Sequence, residues 1–341
     1  MTINMLVFDY RDNEKNFFKE NELEHFNITF YRESLNDETV ENLSFDKLDN
    51  TSVISVFTTS RVSANVISKF KNLRIISTRS TAYNHISQAA ANARNISVIN
   101  IKGYGSKTVA QYTITLILAL LRKIIPASKY LADTSKCDIT DLTGHDLSKL
   151  TLGVVGTGAI GASVCKAAKF FGMNVIAYDI YPKRELKKDI NIEYVDLYDL
   201  ISQSDIITLH IPYTGDNYHM FSDREFKLMK DGAYFVNTSA GEVVDTHAAY
   251  NALMIGKLSG LALDVVSCED INFKCQELKN SDVPLDCVEE QEAIKKLVNM
   301  NNAIVTPHIA YASQEAIDYI LSETFRSIRD CIKGKSENIN Y

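Results

Sequence analysis

LTLGVVGTGAIGASVCKAAKFFGMNVIAYD, residues 150–179, runs an apolar strand into three glycines at GxGxxG spacing, then a helix, then a second strand. The three glycines serve different ends. Gly156 makes the tight turn, Gly158 lets backbone approach a pyrophosphate, and Gly161 lets the helix pack on the strand. The helix start, with Ala159 and Ile160, presents unpaired amides and a partial positive charge to phosphates. Ile160, Val164, Ala168 and Phe171 are the predicted apolar stripe that seats this helix. Eighteen residues past Gly161 stands Asp179. A carboxylate there accepts hydrogen bonds from a ribose diol and repels a 2′-phosphate, which favours NAD over NADP; Lys183 and Arg184 leave weak NADP use open.

Outward from this unit the alternation continues. DIITLHIP (205–212), AYFVNTS (233–239), GLALDVV (260–266) and NAIVTPH (302–308) read as buried strands downstream, and NMLVF (4–8), VISVF (53–57), LRIIS (73–77) and SVIN (97–100) as strands upstream. Strands alternating with helical stretches predict an α/β protein with mostly parallel sheets, and 341 residues suit two such domains. KTVAQYTITLILALLRKII (107–125) is apolar on nearly every side, so it is either a core helix or one wedged between domains and against a second subunit. The charged stretch from Cys268 to Asn302 reads as a surface excursion carrying its own helix, EEQEAIKKLVNM (289–300).

Composition excludes several classes. Hydrophobic residues at 45% and charged residues at 23% are ordinary globular usage, which argues against a disordered chain. A net charge of −7 offers no basic face, so neither nucleic acid nor a membrane surface is an expected partner. The opening MTINMLVFDYRDNEK lacks the pattern of a secretory signal, and the longest apolar stretch, Ile114 to Leu121, is too short for a span, so a cytoplasmic protein is expected. The six cysteines form no CxxC pair; neither a metal site nor a disulfide is favoured, and reduced thiols are the expectation.

Of seven histidines, His308 stands out because it follows Thr306-Pro307 at the carboxyl end of an apolar strand, where ligands bind in open α/β sheets. From its setting alone it could be a proton shuttle or a structural histidine. LHIPYTGDNYHMF (209–221), YFVNTSAGEVVD (234–245), GLALDVVSCE (260–269) and VTPHIA (305–310), with SVFTTSRV (55–62), STRSTAYNHI (77–86) and KGYGSKTVAQYT (102–113), resemble in order and spacing the D-isomer-specific 2-hydroxyacid dehydrogenases, their D-lactate dehydrogenase branch in particular.

That resemblance implies two Rossmann-like or flavodoxin-like domains, an NAD domain (102–306) inserted in a substrate domain (1–101 and 307–341), in a homodimer. It implies reversible reduction of pyruvate or a similar 2-keto acid with NADH. His308 then matches the proton donor and Glu269 its carboxylate partner, which favours the imidazolium form. Asp264 matches the holder of the nicotinamide carboxamide; Ile211, Pro212, Asn217, Thr238, Ser239 and Ala240 match other cofactor contacts. Thr81 and Ala82 fall where backbone amides hold the substrate carboxylate, and Tyr104 and Tyr311 where aromatic residues line its pocket.

Two positions depart from the pattern. Asp270 stands where the family usually has proline, and Ala240 stands where it has an arginine that binds the substrate carboxylate and polarises the keto oxygen. Asn237, Gly241 and Asp245 keep the surrounding turn. An engineered replacement, a natural change of role, and relocation of the function to Arg61 or Arg79 all fit. A non-catalytic NAD-binding interaction protein on the same scaffold is the competing class.

Overall fold

The computed structural model describes residues 2–20, 23, 25–130, 138–269, 285–334 and 339–340. Cys137 and residues 270–284 of the expected surface excursion, among them Asp270 and Cys275, lie outside them. Contacts divide the chain into two units, one of residues 1–104 and 312–341, the other of residues 105–311. The expected crossings lay at 101/102 and 306/307, so the second unit begins three residues later, ends five residues later and takes in His308.

The first unit is built on a six-stranded sheet in the order β13-β5-β4-β3-β1-β2. Its strands are β1 (Ile3–Val7), β2 (Phe26–Phe30), β3 (Val53–Val56), β4 (Ile75–Thr78), β5 (Ser97–Asn100) and β13 (Ile339–Asn340). All pair in parallel except β13, which runs antiparallel to β5. β3 and β4 are buried along their whole length, which explains why VISV and IIST are unbroken apolar or small runs. Phe325, on the helix Gln314–Ile332, enters an aromatic cluster with Phe17, Phe18 and Phe26. The last helix of the chain thereby joins the core of its first hundred residues.

The second unit carries seven parallel strands in the order β12-β11-β10-β9-β6-β7-β8. They are β6 (Thr151–Val155), β7 (Asn174–Tyr178), β8 (Glu193–Tyr194), β9 (Ile206–Leu209), β10 (Ala233–Asn237), β11 (Leu258–Leu263) and β12 (Ala303–Val305). The strand order reverses at β6, between β7 and β9. Ligands bind outside the carboxyl ends of strands at such a switch point, and the glycine loop leaves β6 there.

Helix Gly105–Leu121 is buried along Val109, Ala110, Thr113, Ile114, Leu116, Ile117, Leu120 and Leu121, leaving Gln111 and Thr115 exposed. It does not run on to residue 125. Lys123 takes a φ of 51°, and a separate helix spans Ile124–Tyr130. Pro126 is the reason, since in a continuous helix its ring would strike the carbonyl of Arg122. Among the described residues no single helix is long and apolar enough to cross a membrane.

Candidate active site

The glycine loop is a matter of clearances. Gly156 has a φ of +90°, and a Cβ there would stand 2.6 Å from the carbonyl oxygen of His210. A Cβ on Gly161 would lie closest to the carbonyl oxygen of Gly156, which it would overlap. Both glycines are therefore required by the protein's own packing. Gly158 differs: a Cβ there would meet nothing within 4 Å. Packing does not ask for glycine at 158, whereas close backbone approach by a pyrophosphate does. Gly158 also caps the helix Ala159–Phe170, whose first amides face the same side. The stripe that seats this helix is Gly161, Val164, Cys165 and Ala168, with Ile160 partly buried; Phe171 lies past the helix end and is exposed.

Asp179 follows β7. Its Oδ2 accepts hydrogen bonds from the Thr157 amide (2.5 Å) and hydroxyl (2.8 Å), and its Oδ1 from the Tyr181 amide (2.8 Å). Burial opposes its charge, but these donors outweigh burial and hold the carboxyl below the usual range. The acidic group is thus fixed beside the glycine loop and ionised. Asn217 closes its own loop, donating to Pro212 O (2.8 Å) and accepting from Thr214 N (2.9 Å), with Ile211 at the loop's start.

At the other side of the switch point, Asn237 organises the 238–240 turn. Its side chain accepts from Ser239 N (3.0 Å) and Ser239 Oγ (2.9 Å) and donates to Ala240 O (2.8 Å). The Thr238 hydroxyl meets that of Thr113 at 2.8 Å. Gly241 presses on the next strand's exit: a Cβ there would overlap backbone atoms of Val266 and Ser267.

His308 has a φ of 51°, a left-handed conformation that costs a side-chain-bearing residue about 1 kcal/mol and is held only where the surroundings impose it. Asp264 is what imposes it. Fully buried at the end of β11, it accepts from the Thr306 hydroxyl (2.6 Å), Ile309 N (3.0 Å) and Ala310 N (2.8 Å), while its carbonyl accepts from His308 N (2.8 Å). Those bonds satisfy its buried oxygens. The imidazole Nδ1 lies 2.7 Å from Glu269 Oε2, and the Tyr311 ring stands edge-on at 6.4 Å. His308, Glu269, Asp264, Tyr311 and the glycine loop therefore share one compact unit.

Thr81, Ala82 and Tyr104 belong to the other unit. Thr81 and Ala82 lie exposed beyond β4, where the Thr81 hydroxyl donates to Ile101 O (3.0 Å) and Asn100 donates to Thr81 O (2.7 Å). Tyr104 is the last residue of its segment, half-buried. Arg79 cannot stand in for the missing arginine. Only 2% exposed, it pairs with Glu14 (3.2 Å) and donates to Ser55 Oγ (3.0 Å) and the carbonyls of Phe8 (2.8 Å) and Asp9 (3.1 Å).

One expectation fails: Cys268 and Cys287 form a disulfide, 5.7 Å apart at Cα. Helix Leu285–Leu297 returns to the exit of β11 and brings Cys287 there, a pairing with no spacing signature in the sequence. Glu290, three residues along, accepts from Thr246 Oγ1 (2.6 Å) and Ser267 N (2.9 Å). Neither Cys287 nor Glu290 was marked as a site residue, and Thr113 and Thr306 lay within quoted motifs without an assigned role.

A parallel sheet with a glycine loop at its switch point and a histidine–carboxylate pair on the same body defines a dinucleotide-dependent oxidoreductase. Residues 114–310 match the family described as D-isomer specific 2-hydroxyacid dehydrogenase, NAD binding domain. The chain is 36% identical over 284 residues to a D-specific alpha-keto acid dehydrogenase of Enterococcus faecium, covering 81% of this chain and 82% of that one. It is 30% identical over 336 residues to the D-lactate dehydrogenase of Escherichia coli, covering 97% and 98%. The crystal structure of D-lactate dehydrogenase from Aquifex aeolicus complexed with NAD and lactic acid superposes with a TM-score of 0.83 at 32% identity, over 97% of this chain and 96% of that one. This chain belongs to the D-isomer specific 2-hydroxyacid dehydrogenases, NAD-dependent oxidoreductases acting on CH–OH groups.

Proposed function

We propose that the chain reduces a small 2-keto acid, pyruvate or a close relative, to its D-2-hydroxy acid, and that alanine at 240 leaves the reaction strongly slowed. The observation that carries the first part is the 2.7 Å contact between His308 Nδ1 and Glu269 on the body that holds the glycine loop. NAD, when bound, supplies or accepts the hydride. Asp179 receives the ribose hydroxyls, and Gly158 with the helix start receives the pyrophosphate. Glu269 steadies the protonated ring of His308, whose Nε2 gives a proton to the keto oxygen. Thr81 and Ala82 hold the substrate carboxylate, and Tyr104 and Tyr311 favour a small or apolar side chain. Asp264 sets the His308 turn and would hold the carboxamide.

Alanine at 240 offers no guanidinium to the carboxylate or the developing alkoxide. Such a contact is worth about 3 kcal/mol or more, a rate factor of roughly 100 or above. Ala240→Arg should therefore raise kcat/KM for a keto acid at least ~100-fold, read from NADH absorbance across a keto-acid panel. No gain with any keto acid, alongside intact NAD binding, would replace this reading with its competitor, a non-catalytic NAD-binding interaction protein. Position 240 is the feature that favours that competitor. We also propose that two copies pair beside the Gly105–Leu121 helix, where Ile124 and Ile139 are 53% and 68% exposed.

A further inference from the structure

We propose that the Cys268–Cys287 disulfide is a reversible redox site that positions Glu269 for His308. The inference rests on the dehydrogenase reading only for its effect on turnover. Cys268 immediately precedes Glu269 and has a φ of 53°, so the chain turns sharply just where the carboxylate is aimed at the imidazole. Its sulfur is tied to Cys287 on the helix Leu285–Leu297. On Cys268's other side, the Ser267 amide is held by Glu290 of the same helix. The segment bearing Glu269 is thus fastened to one helix at two neighbouring points, one covalent and one not.

Helix docking does not depend on the covalent fastening. Ala293, Ile294 and Leu297 are buried, and Glu290 bonds both Ser267 and Thr246. Opening the disulfide therefore leaves the helix in place and releases only the turn that aims Glu269. That selectivity distinguishes a switch from a staple. Cys268 is partly exposed whereas Cys287 is buried, so the Cys268 sulfur is the one a reductant reaches. Cys165, in contrast, is buried with its thiol pushed up to about 12, which makes it unreactive.

The co-reactant is a dithiol. Its thiolate attacks Cys268 Sγ, the sulfur–sulfur bond breaks, and the electron pair leaves on Cys287 Sγ, which takes up a proton. The second thiol then displaces Cys268 from the mixed disulfide, so the dithiol is oxidised by two electrons while the protein gains two thiols.

The test uses the full chain, oxidised and after dithiothreitol, with the crosslink mapped by peptide mass spectrometry. The far-downfield proton of the imidazole hydrogen bond, assigned by its absence in His308→Gln, reports the Glu269 contact without turnover. Reduction should abolish that resonance and lower kcat/KM for a keto acid roughly tenfold, as loss of a positioned group does, while NAD affinity holds. Cys268→Ser and Cys287→Ser should match the reduced protein whatever the reductant, and Cys331→Ser should respond like the parent. An unchanged resonance on reduction, a crosslink between other cysteines, or a dithiol response persisting in Cys287→Ser overturns the proposal. A resonance that follows redox state in a protein whose Ala240→Arg version also lacks keto-acid turnover upholds the redox site and refutes the keto-acid reading.

Discussion

His308 shows how a single residue is placed by others. Its left-handed backbone is fixed by Asp264, and its ring meets Glu269 at 2.7 Å. The motif made the histidine legible; the buried bonds from Asp264 to 306, 309 and 310 were not, because they depend on a β11–β12 pairing that no local pattern encodes. His210 carries a sharper chemical prediction. Its Nδ1 is buried without a hydrogen-bond partner among the described residues, its Nε2 meets Thr208 at 3.1 Å, and burial pushes its pKa down to about 3 from 6.5. The folded state keeps this ring neutral while the unfolded chain takes up a proton below pH 6.5. Stability is therefore lost as pH falls from 6.5 towards 3, at up to about 1.4 kcal/mol per pH unit. Urea unfolding at pH 7 and pH 5 should show the parent losing about 1–2 kcal/mol more than His210→Gln over that interval. Equal losses in the two proteins would mean that the ring is protonated in the fold.

At the scale of elements, the quoted apolar runs all became strands, because a strand buried on both faces leaves a continuous signal. β2 escaped notice since it is an edge strand buried only at Phe26, and β8 and β13 because two residues carry no periodicity. The disulfide was hidden for a related reason: its partners are joined by a returning helix rather than by a motif. The turn that presents residue 240 lies on the exit of β11, and its tolerance is set by one glycine. Gly241→Ala would force a methyl into the Val266–Ser267 backbone. A denaturation midpoint shift worth about 2–3 kcal/mol is expected, together with loss of keto-acid turnover, because the same backbone leads to Glu269. A shift below about 0.5 kcal/mol would show that the strand exit yields freely.

For the whole molecule, the two-unit plan was legible from chain length and the repeated alternation of strands and helices, whereas the insertion was implied only by the family resemblance. The proposed pairing of two copies is a property at this scale. Sedimentation of the full chain should give twice the monomer mass, and Ile124→Asp should halve it; a monomer at micromolar concentration ends the proposal. The division at Tyr311 and Ala312 leaves the His308–Glu269 pair on the body that carries the glycine loop and gives residues 1–104 and the final helix to the other. On the reading proposed above, execution of chemistry is inherited in the central stretch of the gene, while choice of organic acid is shared between Tyr311 there and Thr81, Ala82 and Tyr104 of the outer stretches. Drift in the outer stretches can then retune which acid is accepted while the central stretch keeps its machinery, so relatives with different preferred acids are the expected products of such a chain's history.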